Sequence, residues 1–360
     1  MNKTVSIYLD LLRFLSAVLV VLFHANYDRF YAGRVPFAGA GLDAVMVFFV
    51  LSGFVIAHTA RHKDRDLGTF ALNRLSRLYS VALPALILTV LLDQIGRQID
   101  PVLYDGPWYA DSEPVLRFLA ALFFLNEIWF ESIRPFSNGP YWSLAFEAWY
   151  YVLFAVAFYM SGFKRVLALA AVALFIGPKI LLLLPVWLLG CLLERLQNRV
   201  RMPETTALCL FYGSLMVLVL HGSLNGFVYL DTLALKLLGP EAFAALGFCR
   251  HFLNGYFVGA LVFVNLLALV GSPRILDRPM AKIERPARFL AGFTFSLYLL
   301  HYPLLQFFAA VIHNDPANPL HFLLILTSVA LSVYIVGRYT EHKKDHLRRL
   351  LHMARAGFKT

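Results

Sequence analysis

Residues 13–24 read RFLSAVLVVLFH, so that an arginine and a histidine enclose ten residues without a charge. They belong to an apolar run over residues 5–25, which has the length that an α-helix needs to cross a bilayer. No small-residue cleavage site flanks this run, so we expect a retained helix rather than a signal peptide. A cation and an imidazole are costly inside such a helix, and both are therefore candidates for function.

The composition places the whole chain in the same environment. Of its 360 residues 59% are hydrophobic and 15% are charged, and its mean hydropathy is +0.67. Because a soluble domain of this size cannot bury so much apolar surface, we predict an all-α, polytopic helix bundle in a lipid bilayer. The net charge of +10 is typical of the positive-inside bias of membrane proteins, and we expect no nucleic-acid partner. The three cysteines form no motif, and we expect no metal site.

The distribution of basic residues orients the predicted helices. If residues 115–130 do not cross the membrane, most of the 32 Lys and Arg residues fall in segments on the same side as the N-terminus. We therefore predict both termini in the cytoplasm, with 115–130 re-entrant or interfacial. The prediction divides the chain into a transmembrane domain over 1–340 and a basic cytoplasmic tail over 341–360. The ten predicted spans are 7–25, 40–60, 77–93, 142–161, 164–178, 179–195, 204–221, 252–270, 289–312 and 319–338.

Helical geometry places the polar residues of the first span on one face. Eleven residues make three turns, so Arg13 and His24 share a face about 16 Å apart along the axis, with Asp10 one turn before Arg13. The arginine is expected toward the cytoplasm and the histidine toward the outside. A snorkelling anchor would explain Arg13 alone, and an interfacial hydrogen bond would explain His24 alone. Their alignment favours a joint function.

Two carboxylates are expected at the depth of His24. Asp43 lies near the outer end of the second predicted span, and Glu147 lies one to two turns into the fourth. A carboxylate that orients an imidazole is typical of general acid–base catalysis. A structural cluster that holds three helices together is the alternative. The ninth span adds Tyr298 and His301, one turn apart near the bilayer midplane.

A cationic site is expected on the inner side. Arg74 and Arg77 are spaced i, i+3 before the third predicted span, and Arg13 lies nearby. Guanidinium groups suit phosphate oxygens, although ordinary positive-inside flanking would also place arginines here. On the outer side, residues 93–113 combine aromatic and acidic residues, which is typical of a sugar-binding surface or of an interfacial belt.

Five stretches in order carry a resemblance to a known family. They are LDLLRFLSAVLVVLFH, GLDAVMVFFVLSGFVI, RLSR, WSLAFE and SLYLLHYPL, and they extend from residue 8 to about residue 304. The chain resembles the acyltransferase 3 family of bacterial membrane acyltransferases, which O-acylate sugars and related acceptors. The resemblance implies a multi-pass protein of the bacterial inner membrane that transfers an acyl group, usually acetyl, from cytoplasmic acetyl-CoA to a glycan or lipid-linked sugar.

The resemblance also implies roles for residues. It makes His24 the catalytic residue and Arg13 its motif partner, and it assigns the coenzyme to Arg74 and Arg77. Further family positions are Ser52, Gly53, Trp142, Ser143 and Glu147.

The residues leave a second function open. A proton-coupled transporter would use His24, Asp43, Glu147 and His301 as a relay, although the chain shows no internal repeat of the kind common in such proteins. The sequence also leaves open direct transfer against an acyl-histidine intermediate, the identity of the acyl group and that of the acceptor.

Overall fold

The computed structural model describes residues 1–341 and is helical throughout, without a strand in that range. The predicted tail over 341–360 therefore lies, apart from Glu341, outside the described residues. The α-helices of the described range are α1 Lys3–Ala25, α2 Gly41–His62, α3 Leu67–Ile99, α4 Pro114–Leu122, α5 Trp142–Tyr159, α6 Gly162–Ile176, α7 Pro178–Leu196, α8 Glu204–Ser223, α9 Gly226–Leu238, α10 Pro240–Ala245, α11 Phe252–Gly271, α12 Asp277–Ala291, α13 Thr294–Ile312 and α14 Pro319–Thr340.

Eight segments of the described chain are long and apolar enough to cross a membrane. They contain α1, α2, α3, α5, α8, α11, α13 and α14. The other two predicted spans correspond to α6, which has 15 residues, and to α7, which carries Lys179, Glu194 and Arg195. The number ten therefore stays a prediction.

Residues 115–130 form no spanning helix. In this region α4 has nine residues, which rise only about 14 Å and cannot cross the hydrocarbon core. The chain after α4 turns sharply, with positive φ angles at Phe124, Trp129 and Phe136. This agrees with the prediction that the segment does not cross.

The predicted span over 289–312 is wrong at its start. The structure ends α12 at Ala291 and begins α13 at Thr294, so these residues belong to two helices. The reason is electrostatic: α12 is a charged helix whose side chains pair with α1, through Lys3–Glu284 at 2.6 Å and Arg288–Asp10 at 3.2 Å.

The segments predicted to be cytoplasmic lie together at one end of the bundle. Besides the contacts between α1 and α12, the Tyr159 hydroxyl donates to the Asp64 carbonyl at 2.6 Å, and the Met202 N–H donates to the Gly271 carbonyl at 3.3 Å. We call this the inner end, after its predicted orientation.

The opposite ends of the helices meet at the outer end. There the Ala32 N–H donates to the Pro316 carbonyl at 2.9 Å, and the Trp129 N–H donates to the Ile176 carbonyl at 2.9 Å. The helices thus alternate in the way that the distribution of basic residues predicts, while the side that faces the cytoplasm stays a prediction.

Two glycines allow α2 and α7 to pack backbone against backbone. A Cβ atom on Gly53 would lie 2.0 Å from the Trp187 carbonyl oxygen, and one on Gly190 would lie 2.0 Å from the Val50 carbonyl oxygen. Small residues permit this close approach. In lipid the hydrophobic effect does not drive helices together, so the van der Waals contacts made at such small residues stabilise the pair instead. Gly53, a family position, thus has a packing role.

A buried ion pair joins the chain after α4 to the start of α7. The Lys179 ammonium donates to Glu127 Oε2 at 2.7 Å, to Ser132 Oγ at 2.7 Å and to the Glu131 carbonyl at 2.5 Å. Lys179 is fully buried and Glu127 is 3% exposed. Because water reaches neither group, each charge is stabilised by the other.

We predict that Gly53→Ala destabilises the protein by about 1–3 kcal/mol, because its methyl group would overlap α7. The matched control is Gly213→Ala in α8, where a Cβ atom meets nothing within 4 Å. The melting temperature in detergent should fall for the first variant and stay or rise for the second. Equal melting temperatures would contradict the assigned packing.

We predict that Lys179→Met lowers stability by about 3–5 kcal/mol, because it leaves the Glu127 carboxylate buried without its cation. The double variant Lys179→Met with Glu127→Leu should recover part of this loss. Thermal unfolding of the single and double variants measures the coupling, and additive losses would show that the pair does not act as a unit.

Candidate active site

Two cavities lie along the face of α1 that carries Arg13 and His24. Arg13 lines an inner cavity of about 360 Å³, and His24 lines an outer cavity of about 450 Å³. Val45 and Tyr298 line both, so the two spaces meet at these side chains. The face predicted from the helical periodicity thus lines two adjoining cavities, which together we call the path.

The inner cavity has charges of both signs. Its lining includes Arg13, Arg77, Glu147 and Glu341. Glu147 Oε1 accepts hydrogen bonds from the Ser52 hydroxyl, at 2.7 Å, and from the hydroxyl of Tyr151 on the next turn of α5. These bonds place the carboxylate against the middle of α2.

The arginine pair of α3 is divided by the fold. Arg77 lines the inner cavity, whereas Arg74 donates to Asp64 Oδ2 at 3.1 Å and lies outside the lining. Asp64 precedes α3 and also accepts from Asn73 Nδ2 at 2.5 Å. The phosphate site expected from both arginines therefore has only Arg77 in place, together with Arg13. The role of Arg74 toward a coenzyme stays a prediction.

His24 has a histidine as its side-chain partner. His24 Nδ1 lies 2.9 Å from the Val20 carbonyl oxygen and 3.0 Å from His301 Nε2. His301 Nδ1 lies 2.7 Å from the Tyr298 carbonyl oxygen and 3.1 Å from that of Leu297. Both rings are thus held through backbone acceptors on their own helices.

These contacts define the tautomers of two neutral rings. Carbonyl oxygens only accept, so Nδ1 carries the proton in both His24 and His301. His301 Nε2 then accepts from the Nδ1–H of His24, which leaves His24 Nε2 with a lone pair at the outer cavity. A ring nitrogen of this kind is a general base.

The expected grouping of His24 with two carboxylates is wrong. Asp43 Oδ1 accepts from Asn254 Nδ2 at 2.7 Å, and Asn254 Oδ1 contacts His221 Nε2 at 2.7 Å. Glu147 lies in the inner cavity, and neither carboxylate contacts the imidazole in the described chain. Asp43 bonds to α11 and Glu147 bonds to the middle of α2. Residues predicted at the same depth in the membrane therefore contact different helices. Whether either residue acts in catalysis stays a prediction.

Tyr298 occupies the junction of the two cavities. Its hydroxyl lies 2.6 Å from Ser143 Oγ and 3.2 Å from the Pro140 carbonyl oxygen. Trp142 stacks on Phe248 in the outer cavity, with ring centroids 5.2 Å apart. The predicted positions Ser143, Trp142 and Tyr298 therefore line the cavities, Ser143 the inner one, Trp142 the outer one and Tyr298 both.

Three arginines of the outer cavity were not predicted from the sequence. Arg29, Arg134 and Arg250 come from connections between helices, where no periodicity marks them. Arg29 donates to Gln306 Oε1 at 3.3 Å and to the Tyr302 hydroxyl. Only their location in loops beside aromatic residues could have drawn attention to them.

The region 93–113 contributes its aromatic part alone. Trp108 lines the outer cavity, 4.6 Å from the Arg29 guanidinium. Asp93 instead accepts from the backbone and hydroxyl of Ser137, and Asp111 pairs with Arg97. Asp105 and Glu113 are exposed in the same segment, so whether it forms an acidic and aromatic sugar-binding surface stays a prediction.

One potential metal-ligand group occurs within residues 1–341. The ligand atoms of His58, His62 and Glu194 lie within 4.8 Å of one another, outside both cavities. Arg61 already pairs with Glu194 at 3.0 Å and supplies the positive charge there. This group has no contact with the path.

Comparisons with known proteins identify the family of the chain. The acyltransferase domain family matches residues 6–338. Acyltransferase MdmB of Streptomyces mycarofaciens is 30% identical over 151 residues, which cover 40% of this chain and 36% of that protein. The match thus spans little more than a third of that relative, and no solved structure matches significantly. Because the family match covers nearly the whole chain, the protein belongs to the acyltransferase domain family.

Proposed function

We propose that the protein transfers an acyl group, in the simplest case acetyl, from cytoplasmic acyl-CoA to a hydroxyl of a glycan or lipid-linked sugar. The donor enters the inner cavity and the acceptor enters the outer one. The observation that carries this proposal is His24 itself, whose Nδ1 is engaged and whose Nε2 is left as a base where the cavities approach each other. The bacterial cytoplasmic membrane is the proposed location.

The inner cavity suits the donor. Arg13 and Arg77 offer guanidinium groups to phosphate oxygens of the coenzyme. Asp10 lies 3.7 Å from Arg13 and 3.2 Å from Arg288, which holds Arg13 at the mouth of the path. The extended pantetheine arm then reaches past Val45 and Tyr298 toward His24.

The transfer step uses His24 as the base and His301 as the acceptor that supports it. His24 Nε2 removes the proton of the acceptor hydroxyl, the oxygen attacks the thioester carbonyl, and the carbon–sulfur bond breaks. The coenzyme leaves as a thiol when it takes the proton from His24. His301 Nε2 accepts from His24 Nδ1 throughout, so it keeps the tautomer and stabilises the imidazolium that forms. This is the part that an aspartate has in a serine-protease triad.

A covalent intermediate is the alternative path for the same residues. His24 Nε2 would attack the thioester first and pass the acyl group to the acceptor afterwards. Mass spectrometry of the protein after incubation with acetyl-CoA alone separates the two, since only the second path adds an acetyl group to His24.

We predict that His24→Ala lowers acyl transfer by about 10²–10⁴-fold, because it removes the general base. The assay uses purified protein, radiolabelled acetyl-CoA and candidate glycans. The control is His321→Ala, which removes a histidine at the outer end that lines neither cavity. If His24→Ala transferred acetyl at the wild-type rate while His301→Ala did not, the assignment of His24 would be wrong. Proton-coupled transport without donor consumption would favour the relay.

We predict that His301→Leu lowers kcat by at least about tenfold with a smaller effect on KM, because His24 Nδ1–H keeps only the Val20 carbonyl and loses the second acceptor that stabilises its imidazolium. His301→Gln should recover part of the rate, since its amide oxygen can accept from His24 Nδ1–H. The pH–rate profile of His301→Leu should also shift, which a purely structural role would not cause. Equal rates for the Leu and Gln variants would contradict a positioning role.

A further inference from the structure

We propose that the acceptor carries a negatively charged group, a phosphate or a carboxylate, close to the hydroxyl that is acylated, and that Arg134 and Arg250 bind this group. The inference rests on the proposed function and adds the chemical class of the acceptor to it. Its basis is the charge of the outer cavity.

The outer cavity is lined by three arginines and by no carboxylate of the described chain. The inner cavity differs, because Arg13 and Arg77 share it with Glu147 and Glu341. No described ion pair includes an arginine of the outer cavity. Their positive charge therefore has no carboxylate beside it in the cavity lining, and a bound anion would be favoured there.

Arg29 has a fixed position in the wall. Its guanidinium lies 4.5 Å from the ring centroid of Phe30, 4.6 Å from Trp108 and 4.9 Å from Tyr27. Burial raises the pKa of Tyr27 to about 12, so that its hydroxyl stays neutral beside this cation. Arg29 thus adds positive potential while its Nε and Nη2 groups donate to α13.

Arg134 and Arg250 have more donors to offer. In the described chain, Arg134 donates through Nη1 to the Pro107 carbonyl at 2.7 Å, and Arg250 donates through Nε to His251 Nε2 at 3.3 Å. His251 in turn pairs with Asp231 at 2.6 Å, on the side away from Arg250. A guanidinium has five N–H donors, so both side chains retain the fork that binds phosphate or carboxylate oxygens.

The remaining lining suits a sugar ring. Trp108 lies on one part of the wall, and the stacked pair of Trp142 and Phe248 lies on another. Aromatic rings offer flat apolar faces to the C–H surface of a pyranose. Aromatic rings, the remaining donors of two guanidinium groups and the His24 base together fit an anionic sugar better than a neutral one.

A paired comparison of three probes tests the inference. Methyl glucoside, glucose 1-phosphate and glucuronic acid differ in charge on a similar ring. Binding is measured by saturation-transfer NMR on the full chain in nanodiscs of zwitterionic lipid, so that no anionic lipid competes. We expect one or both charged sugars to bind at least about tenfold more tightly than methyl glucoside, and the preference to weaken as salt increases.

Variants identify the residues responsible. Arg134→Gln and Arg250→Gln should each reduce the charge preference, and Arg134→Lys should retain part of it. The matched control is Arg97→Gln, since Arg97 lies at the same end of the bundle but outside the cavity and already pairs with Asp111. Melting temperatures and acetyl-CoA binding confirm that each variant is folded.

The outcomes separate the inference from the proposed function. Equal binding of charged and neutral sugars, or a preference that survives in both glutamine variants, would overturn the inference. If the protein transferred acetyl to neutral sugars but not to charged ones, the proposed function would be supported and the inference about the acceptor would be refuted. Charge-selective binding without any acetyl transfer would keep the anion site and refute the proposed function.

Discussion

Polar groups inside a membrane bundle must find partners within the protein, because lipid offers none. This constraint arranges the interior of the chain. His24 meets His301, Glu147 meets Ser52, and Lys179 meets Glu127, each between segments that are distant in sequence. The contacts that satisfy these groups also fix which helices are neighbours, so the polar residues contribute to the architecture as well as to chemistry.

The packing of α2 links this architecture to the path. The backbones of α2 and α7 touch at Gly53, and Ser52 on the same turn accepts from Trp187 Nε1 at 3.2 Å while it donates to Glu147. A single turn of α2 therefore makes the backbone contact with α7 and also lines the inner cavity. Gly53 and Ser52 act together because backbone proximity and carboxylate placement depend on the same turn of α2.

The two cavities differ in charge in a way that matches their proposed substrates. The inner one has arginines balanced by carboxylates, and the outer one has arginines beside aromatic rings. His24 lies on the outer side of their junction, near Tyr298, which lines both. A thioester that extends from one side and a hydroxyl that approaches from the other would meet here without either substrate crossing the bundle. The membrane barrier is thus maintained while the acyl group passes.

The sequence by itself determined the all-helical membrane fold, the alternation of helix ends, the non-crossing segment near 115–130 and the common face of Arg13 and His24. These follow from hydropathy, charge distribution and helical periodicity, which act within one helix. Tertiary structure alone decided that His24 contacts His301 rather than a carboxylate. It also decided that Arg74 pairs with Asp64 and lies outside the cavity that Arg77 lines. The arginines that line the outer cavity likewise depend on how the loops fold. Periodicity gives the depth and face of a side chain, but the partner on that face depends on which helix packs there and on loops without a repeating pattern.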